Sequence, residues 1–326
     1  MSVPYSRTLF GFIPWYSFLI VLGAAAAIIL AVREEKRTDL KKDTVLDFSL
    51  IVLPVGIIGA RIYYVIFSWD AFKNDFISVF RIWEGGIAIY GAVIAGLLTA
   101  FIFCRRRKIP VLTLCDLIAP GLILAQAIGR WGNYFNQEAY GLLLEDPSLC
   151  FFPFAVQIQG PSGLEWHMAT FFYEFFWNIC VFVFLMVARR KWFRYRGDVF
   201  FFYAILYACG RLIIEDFRMD SLYAASSVRV SQLLSVLICL FIIGYYIRKF
   251  RSSDRLRSPV SLALTALALA ADLFAVLWMT GAVVLDVTVA MRFLLLLACS
   301  VLNIAAVTVL YARCREGDVL YADHRG

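Results

Sequence analysis

The stretch AIGRWGNYFNQEAYG at 127–141 places Arg130, Asn133, Asn136, Gln137 and Glu138 within nine residues, directly after the apolar run VLTLCDLIAPGLILAQ at 111–126. A fixed cation among three amides and a carboxylate suits the holding of an anion such as a phosphate. The planar guanidinium meets two phosphate oxygens at once, which an ammonium does not. A second group, YAILYACGRLIIEDFR at 203–218, spaces Tyr203, Tyr207, Arg211 and Glu215 four apart, on one helical face. That face reads either as an internal ion pair with two aromatic neighbours or as a phosphate grip. Two arginines at one depth repel unless an anion or carboxylates sit between them. Glu138 and Glu215 could each neutralise one, and a lipid phosphate could be shared by both. A third group is WEGGIAIYGAVIAG at 83–96, with Tyr90 among Gly85, Gly86, Gly91 and Gly96. Such glycines serve either close helix packing or clearance for a lipid headgroup.

The elements that must carry these groups follow from composition. The chain has 326 residues, of which 62% are hydrophobic and 17% charged; soluble domains hold about a quarter charged residues. Nine apolar segments, near 13–32, 45–67, 86–104, 111–129, 170–188, 198–217, 230–248, 260–280 and 289–312, are each long enough to cross a bilayer core of about 30 Å as a helix. The sequence therefore predicts an all-α polytopic membrane protein and excludes a soluble domain. The first apolar run lacks a basic leader and continues into REEKR, so no cleavable signal peptide is predicted. Charged residues near the bilayer centre cost at least about 2.5–3.5 kcal/mol on insertion scales, so those that persist ask for a reason.

Most of the 31 Lys and Arg fall in 33–42, 105–108, 189–196 and 248–257, and at Arg313 and Arg315, which is after every second apolar run. The positive-inside rule places these in the cytoplasm, the N-terminus outside and both arginine groups toward the outer face. The same distribution assigns the +7 net charge to topology rather than to nucleic acid. The segment 130–168 is the longest outward one, and its Pro, Gly and aromatic content predicts a folded cap. The polar stretch 248–259 divides the chain into a region 1–250 with seven spans and an extension 251–326 with two more, carrying Asp272, Asp286 and Arg292. Eight cysteines lack CxxC or Cys/His spacing, and five of them (Cys115, Cys180, Cys209, Cys239, Cys299) lie in apolar runs, which favours packing over disulfides or metal. The LLAC at 296–299 sits too deep in the chain to be a lipidation box. Ionisable residues gather on one side and no internal repeat is apparent, which disfavours a transporter.

GRWGNYFNQEAYG (129–141) closely resembles the signature of the bacterial prolipoprotein diacylglyceryl transferases. PWYSF (14–18), GARIYYVIF (59–67), WEGGIAIYG (83–91), HMATFFYE (167–174), YACGRLIIEDFR (207–218) and VSQLLS (230–235) fit the same family in the same order, over about residues 10–250. The resemblance implies a seven-helix transferase core with a small outer head region; the two C-terminal spans at 260–280 and 289–312 lie beyond it. It implies a reaction on the outer side of the plasma membrane: the sn-1,2-diacylglyceryl group of phosphatidylglycerol passes to the thiol of the lipobox cysteine in a prolipoprotein signal peptide. A thioether forms and glycerol 1-phosphate leaves, with no metal or organic cofactor. Arg130 and Arg211 match the family's essential arginines and would hold the phosphate. Asn133, Asn136 and Glu138 would orient the headgroup and Arg130, Tyr16 and Tyr207 would line the lipid site, and Glu215 would fix Arg211. Gly141 would permit the turn out of the motif.

One position departs from the family. Many members carry a histidine, proposed as the thiol-activating base, where this chain has Tyr90. Of its two histidines, His324 falls in the cytoplasmic tail, and His167 matches a family position with no evident link to the glycine helix. A free thiol with pKa about 8.5 is already a few per cent thiolate near neutral pH, and neighbouring arginines lower that pKa further. Tyr90 is therefore expected to act as a hydrogen-bond donor or proton relay, with no histidine base. The departure also leaves room for a phospholipid- or signal-peptide-binding homologue that has lost catalysis.

Overall fold

A computed structural model describes residues 6–160, 163–223, 228–250, 259–283 and 288–323. Asp286, His324 and most of the basic cluster at 248–257 lie outside the described residues. The order is β1 (Thr8–Leu9), β2 (Ile13–Pro14), α1 (Trp15–Glu35), α2 (Thr44–Phe67), α3 (Ile89–Arg107), α4 (Val111–Asn136), β3 (Ala155–Gly160), β4 (Gly163–Met168), α5 (Thr170–Lys191), α6 (Asp198–Phe217), α7 (Val230–Phe250), α8 (Pro259–Met279) and α9 (Val289–Asp323). Runs of this apolarity fold as helices because hydrocarbon offers the backbone no hydrogen-bond partner outside its own segment. Among the described residues, eight helices are long and apolar enough to cross a membrane. The ninth, α6, is 20 residues long but studded with Asp198, Arg211, Glu215 and Asp216.

The chain forms two compact units, 25–121 on one hand and 1–24 with 122–326 on the other, and the division runs through α1 and α4. In the 25–121 unit, α2 and α3 meet through glycine. A Cβ on Gly59 would stand 2.4 Å from that of Ala95, and one on Gly91 would stand 2.3 Å from the Gly59 carbonyl oxygen. Gly86, at φ +74°, leaves the space that Arg61 and Tyr64 fill. For Gly86 and Gly91 the packing use of this glycine-rich stretch is therefore the observed one. Arg61 is buried, and its guanidinium donates to the carbonyls of Ser78, Val79, Gly85 and Gly86 at 2.6–2.8 Å, with Arg81 at 3.4 Å. One side chain thus gathers the whole 78–86 connection. At the opposite end, the buried Glu35 carboxylate accepts from the Thr44 and Val45 amides at 3.0 Å each and so caps α2.

In the other unit, β3 and β4 pair antiparallel from Ala155↔Met168 to Gly160↔Gly163. Val156 and Ile158 point into a core with Tyr134, Ala169 and Phe171, so the cap predicted after the fourth span is a hairpin built onto α4 and α5. Helices α8 and α9 pack on α6 and α7. Leu212, Val236, Ala275, Met279, Leu296 and Cys299 form one buried cluster there. Tyr311 of α9 also donates to the Trp192 carbonyl at 2.8 Å and accepts from the Arg194 amide at 3.1 Å. The seven described cysteines are free thiols.

Candidate active site

Helix α4 does not stop where the polar run begins. It continues to Asn136, so Arg130 and Asn133 are helical and the connection to α5 starts at Gln137 rather than at residue 130. Within its last turns, Gly132 lets the start of α1 come close. A Cβ there would stand 2.6 Å from Cδ2 of Tyr16, and beside it Trp15 stacks on Phe135 with ring centroids 4.7 Å apart. Tyr16 is thereby fixed against the motif helix.

The turn out of the motif is made by Gln137 (φ +53°) and Ala139 (φ +56°), not by Gly141, which corrects the expectation for that glycine. Gly141 serves close approach instead. A Cβ would meet Met168 Cβ and Thr170 Cγ2 at 2.8 Å and the Phe217 carbonyl oxygen at 3.1 Å. Its amide donates to the Met168 carbonyl at 2.9 Å, and Nδ1 of the buried His167 lies 2.9 Å from its carbonyl oxygen. Thr170 Oγ1 donates to the Ala139 carbonyl at 2.6 Å. The strained tail of the motif is thus pinned by the hairpin and the start of α5.

The two arginine groups meet at a third residue. Glu174 of α5 places Oε1 2.6 Å from Nη2 of Arg130 and accepts from Nη1 of Arg211 at 2.8 Å through Oε2. The Arg130 contact is close but poorly aligned, an ion pair rather than a directed hydrogen bond. Arg211 is also paired with Glu215, one turn on, and donates to Ser231 Oγ of α7 at 3.3 Å. Four helices therefore converge on one point. The two carboxylates are almost fully buried, at 3% and 2% side-chain exposure, while Arg211 keeps 11% and Arg130 20%. The cations are the accessible part.

On the Arg130 side, Nη1 donates to Asn133 Oδ1 at 3.2 Å, and Asn133 Nδ2 donates in turn to Glu138 Oε1 at 2.9 Å, with Asn136 Nδ2 at 3.4 Å from the same oxygen. Glu138 thus acts on Arg130 through Asn133, and the carboxylate that pairs with Arg130 is Glu174. Tyr207, one turn before Arg211 on α6, interacts with Glu174, Arg211 and Arg130. Tyr203 stacks on Tyr207 and accepts a hydrogen bond from Gln126 at 3.1 Å. The structure therefore gathers Arg130, Asn133, Asn136, Glu138, Tyr207, Arg211 and Glu215 about one centre and sets Tyr16 against its helix. Tyr90 belongs to the 25–121 unit, at the start of α3, where its ring lies 6.3 Å from that of Tyr63.

Glu174, Ser231 and Gln126 were not singled out in the sequence. Glu174 had a readable signal: it is a lone carboxylate in FFYEFFW, and such a residue inside a span needs a cation. Chemically, the cluster offers N–H donors from two guanidinium groups whose spacing a shared carboxylate sets. Such an array is suited to stabilising negative charge that grows on a phosphate.

A family model described as prolipoprotein diacylglyceryl transferase matches residues 8–248. A protein of Streptococcus suis (strain 05ZYH33) called phosphatidylglycerol–prolipoprotein diacylglyceryl transferase is 44% identical over 249 residues, which cover 76% of this chain and 92% of that one. One of the same description from Oceanobacillus iheyensis is 45% identical over 253 residues, 75% of this chain and 88% of its own. Another, from Streptococcus agalactiae serotype Ia, is 44% identical over 244 residues, 74% and 93% respectively.

Proposed function

This chain belongs to the prolipoprotein diacylglyceryl transferase family and is a phosphatidylglycerol–prolipoprotein diacylglyceryl transferase, and we propose that the Arg130–Glu174–Arg211 cluster is where it grips the lipid phosphate. The observation that carries this reading is one buried carboxylate shared between two more exposed arginines. In the reaction, the sulfur of the acceptor cysteine bonds to the glycerol carbon that bears the phosphate. The carbon–oxygen bond breaks, its electrons pass to the phosphate oxygen, and glycerol 1-phosphate leaves as the thiol gives up its proton. Negative charge grows at the leaving phosphate, so donors already fixed around it lower the barrier. Arg211, with two carboxylates, is the fixed half of the grip. Arg130, held through Asn133 and Glu138, is the half with donors to spare.

The acceptor in this reading is the lipobox cysteine of a prolipoprotein signal peptide, and the setting is the bacterial plasma membrane. The N-terminus faces outward, the C-terminus lies in the cytoplasm and the cluster faces the outer side. Basic residues in the last turns of α1, α3, α5 and α7 support that orientation. Residues 1–250 form the transferase core and 251–326 an extension of it, and no cofactor is required.

The test is a transfer assay on purified protein in detergent with phosphatidylglycerol and a lipobox peptide. The peptide should gain the mass of one diacylglyceryl unit as glycerol phosphate is released, and Arg130→Ala should slow that gain on the order of 10²–10³. Well-folded wild type that binds phosphatidylglycerol without transferring it would refute catalysis and leave a lipid-binding homologue.

A further inference from the structure

The helical turn that carries Arg211 is clamped at each neighbouring residue. On one side Gly210 receives Trp177 of α5, whose Nε1 would lie 2.3 Å from a Cβ there and donates to the Leu206 carbonyl at 2.9 Å. On a second side Gln232 of α7 donates to the Leu212 carbonyl at 3.1 Å. The third side comes from the extension. Ser300 of α9 donates to the Cys209 carbonyl at 3.3 Å, and the Cys209 thiol donates back to the Ser300 carbonyl at 3.7 Å, both residues being buried. Leu212 completes that contact in the apolar cluster with Ala275, Met279, Leu296 and Cys299.

Ser300 is itself held in register by a buried polar group between α8 and α9. Asp272, wholly inaccessible, accepts from Asn303 Nδ2 at 2.8 Å and from the Cys299 thiol at 3.4 Å. Asn303 Nδ2 also donates to the Cys299 carbonyl at 3.0 Å, so the residues flanking Ser300 are tied to Asp272. A carboxylate in a span is costly. Two leucines would pack α8 on α9 at less expense but would leave their register loose, since apolar contacts lack direction and polar pairs do not.

The family match ends at residue 248, and 92% of the Streptococcus suis relative is aligned, which leaves 8% of its length, too little for a helical pair of this size. We propose that the α8–α9 pair is a built-in buttress of the helix carrying Arg211, with Ser300, held in register by Asp272 and Asn303, as a positioning residue for that arginine. The proposal rests on the reading of Arg211 as half of the phosphate grip.

The test uses the full chain and two readouts, one of them independent of turnover. Phenylglyoxal modification of Arg211, followed by mass spectrometry, reports whether the guanidinium is still held by Glu174 and Glu215. Ser300→Leu should wedge α9 away from Cys209. It should raise the Arg211 modification rate severalfold and lower kcat roughly tenfold, short of the roughly hundredfold that a displacement of about 1 Å can cost. KM for phosphatidylglycerol should stay within about twofold, since the loss falls in the transition state. Ser300→Thr, which keeps the hydroxyl, should recover both values. Leu294→Ala, on the exposed side of α9, should change neither. If Ser300→Leu does not fold, Cys209→Ala and Asp272→Asn give the same comparison with smaller changes.

Unaltered Arg211 modification and kcat in folded Ser300→Leu or Cys209→Ala would overturn the proposal. So would a loss of activity matched by a loss of folded protein. A wild type that transfers nothing, while Ser300→Leu still frees Arg211, would instead reject the catalytic reading and keep the buttress.

Discussion

Arg61 and Arg130 are both arginines at the edge of the greasy part of the chain, and they are used in opposite ways. Arg61, in the 25–121 unit, is buried, and all five of its N–H donors go to backbone carbonyls of the 78–86 connection. No carboxylate is among those partners. Arg130 meets one carboxylate through a poorly aligned contact, one amide oxygen and the Tyr207 hydroxyl, and a fifth of its side chain stays accessible. A buried arginine that has spent every donor is structural, whereas one with donors left is poised for a ligand. Residue type alone does not separate them, since both sit in motifs that match the family.

The comparison breaks most visibly if both are removed in turn. Arg130→Ala should cost on the order of 10²–10³ in kcat/KM, the usual loss when one donor to a developing anion is taken away. The fold should hold, because Glu174 keeps Arg211 as its cation and Asn133 stays paired with Glu138. Arg61→Met should do the reverse. The carbonyls that Arg61 serves belong mostly to half-buried residues, and each one left without a donor away from water costs about 1–3 kcal/mol, so thermal stability should fall while the folded fraction keeps its kcat. Equal signatures from the two variants, in melting curves and single-turnover rates, would dissolve the distinction.

Glu174→Gln sharpens it from the carboxylate side. Two guanidinium groups would then share an amide in place of a charge, and losing one partner of a buried ion pair costs about 3–5 kcal/mol. Activity per folded molecule should also drop, roughly tenfold, because the spacing of the two cations loosens. Gly132→Ala is a smaller, purely steric test. Its methyl would press on Tyr16, and overpacking of this kind costs about 1–3 kcal/mol. Differential scanning fluorimetry with and without phosphatidylglycerol would read both.

Much of this was legible before any coordinates. Nine apolar runs became nine helices among the described residues, because a bilayer-length greasy segment has few other ways to satisfy its backbone. The polar motif and the four-residue spacing on α6 located the arginines, since charge in such a setting stands out. What stayed hidden depends on the third dimension. Periodicity cannot show that Glu174, far from both motifs in sequence, stands between them. Hydropathy ended α4 too early, because Arg130 and Asn133, polar as they are, find partners in Glu174 and Glu138 within the protein. Gly141 invited a turn reading, yet its lack of a Cβ is used for contact with Met168 and Thr170, while Gln137 and Ala139 take the left-handed backbone. The strands β3 and β4 were readable only as a folded cap, their alternation being short and interrupted.

Tyr90 gives the smallest expected effect and asks whether the region of Arg61 contributes chemistry at all. It stands at the start of α3, in the same unit as Arg61. Magnitude separates its two roles. A lost hydrogen bond of ordinary strength, about 0.5–1.5 kcal/mol, lowers a rate by about two- to tenfold. Loss of a general base costs about 10²–10⁴. An acceptor thiol with pKa about 8.5 is already partly ionised near neutral pH, so a donor or relay role is sufficient and Tyr90→Phe should fall in the first range. Rates at saturating phosphatidylglycerol would decide it. A fall of a hundredfold or more would make Tyr90 the group that takes the thiol proton, and an unchanged rate would leave the 25–121 unit with a structural part only.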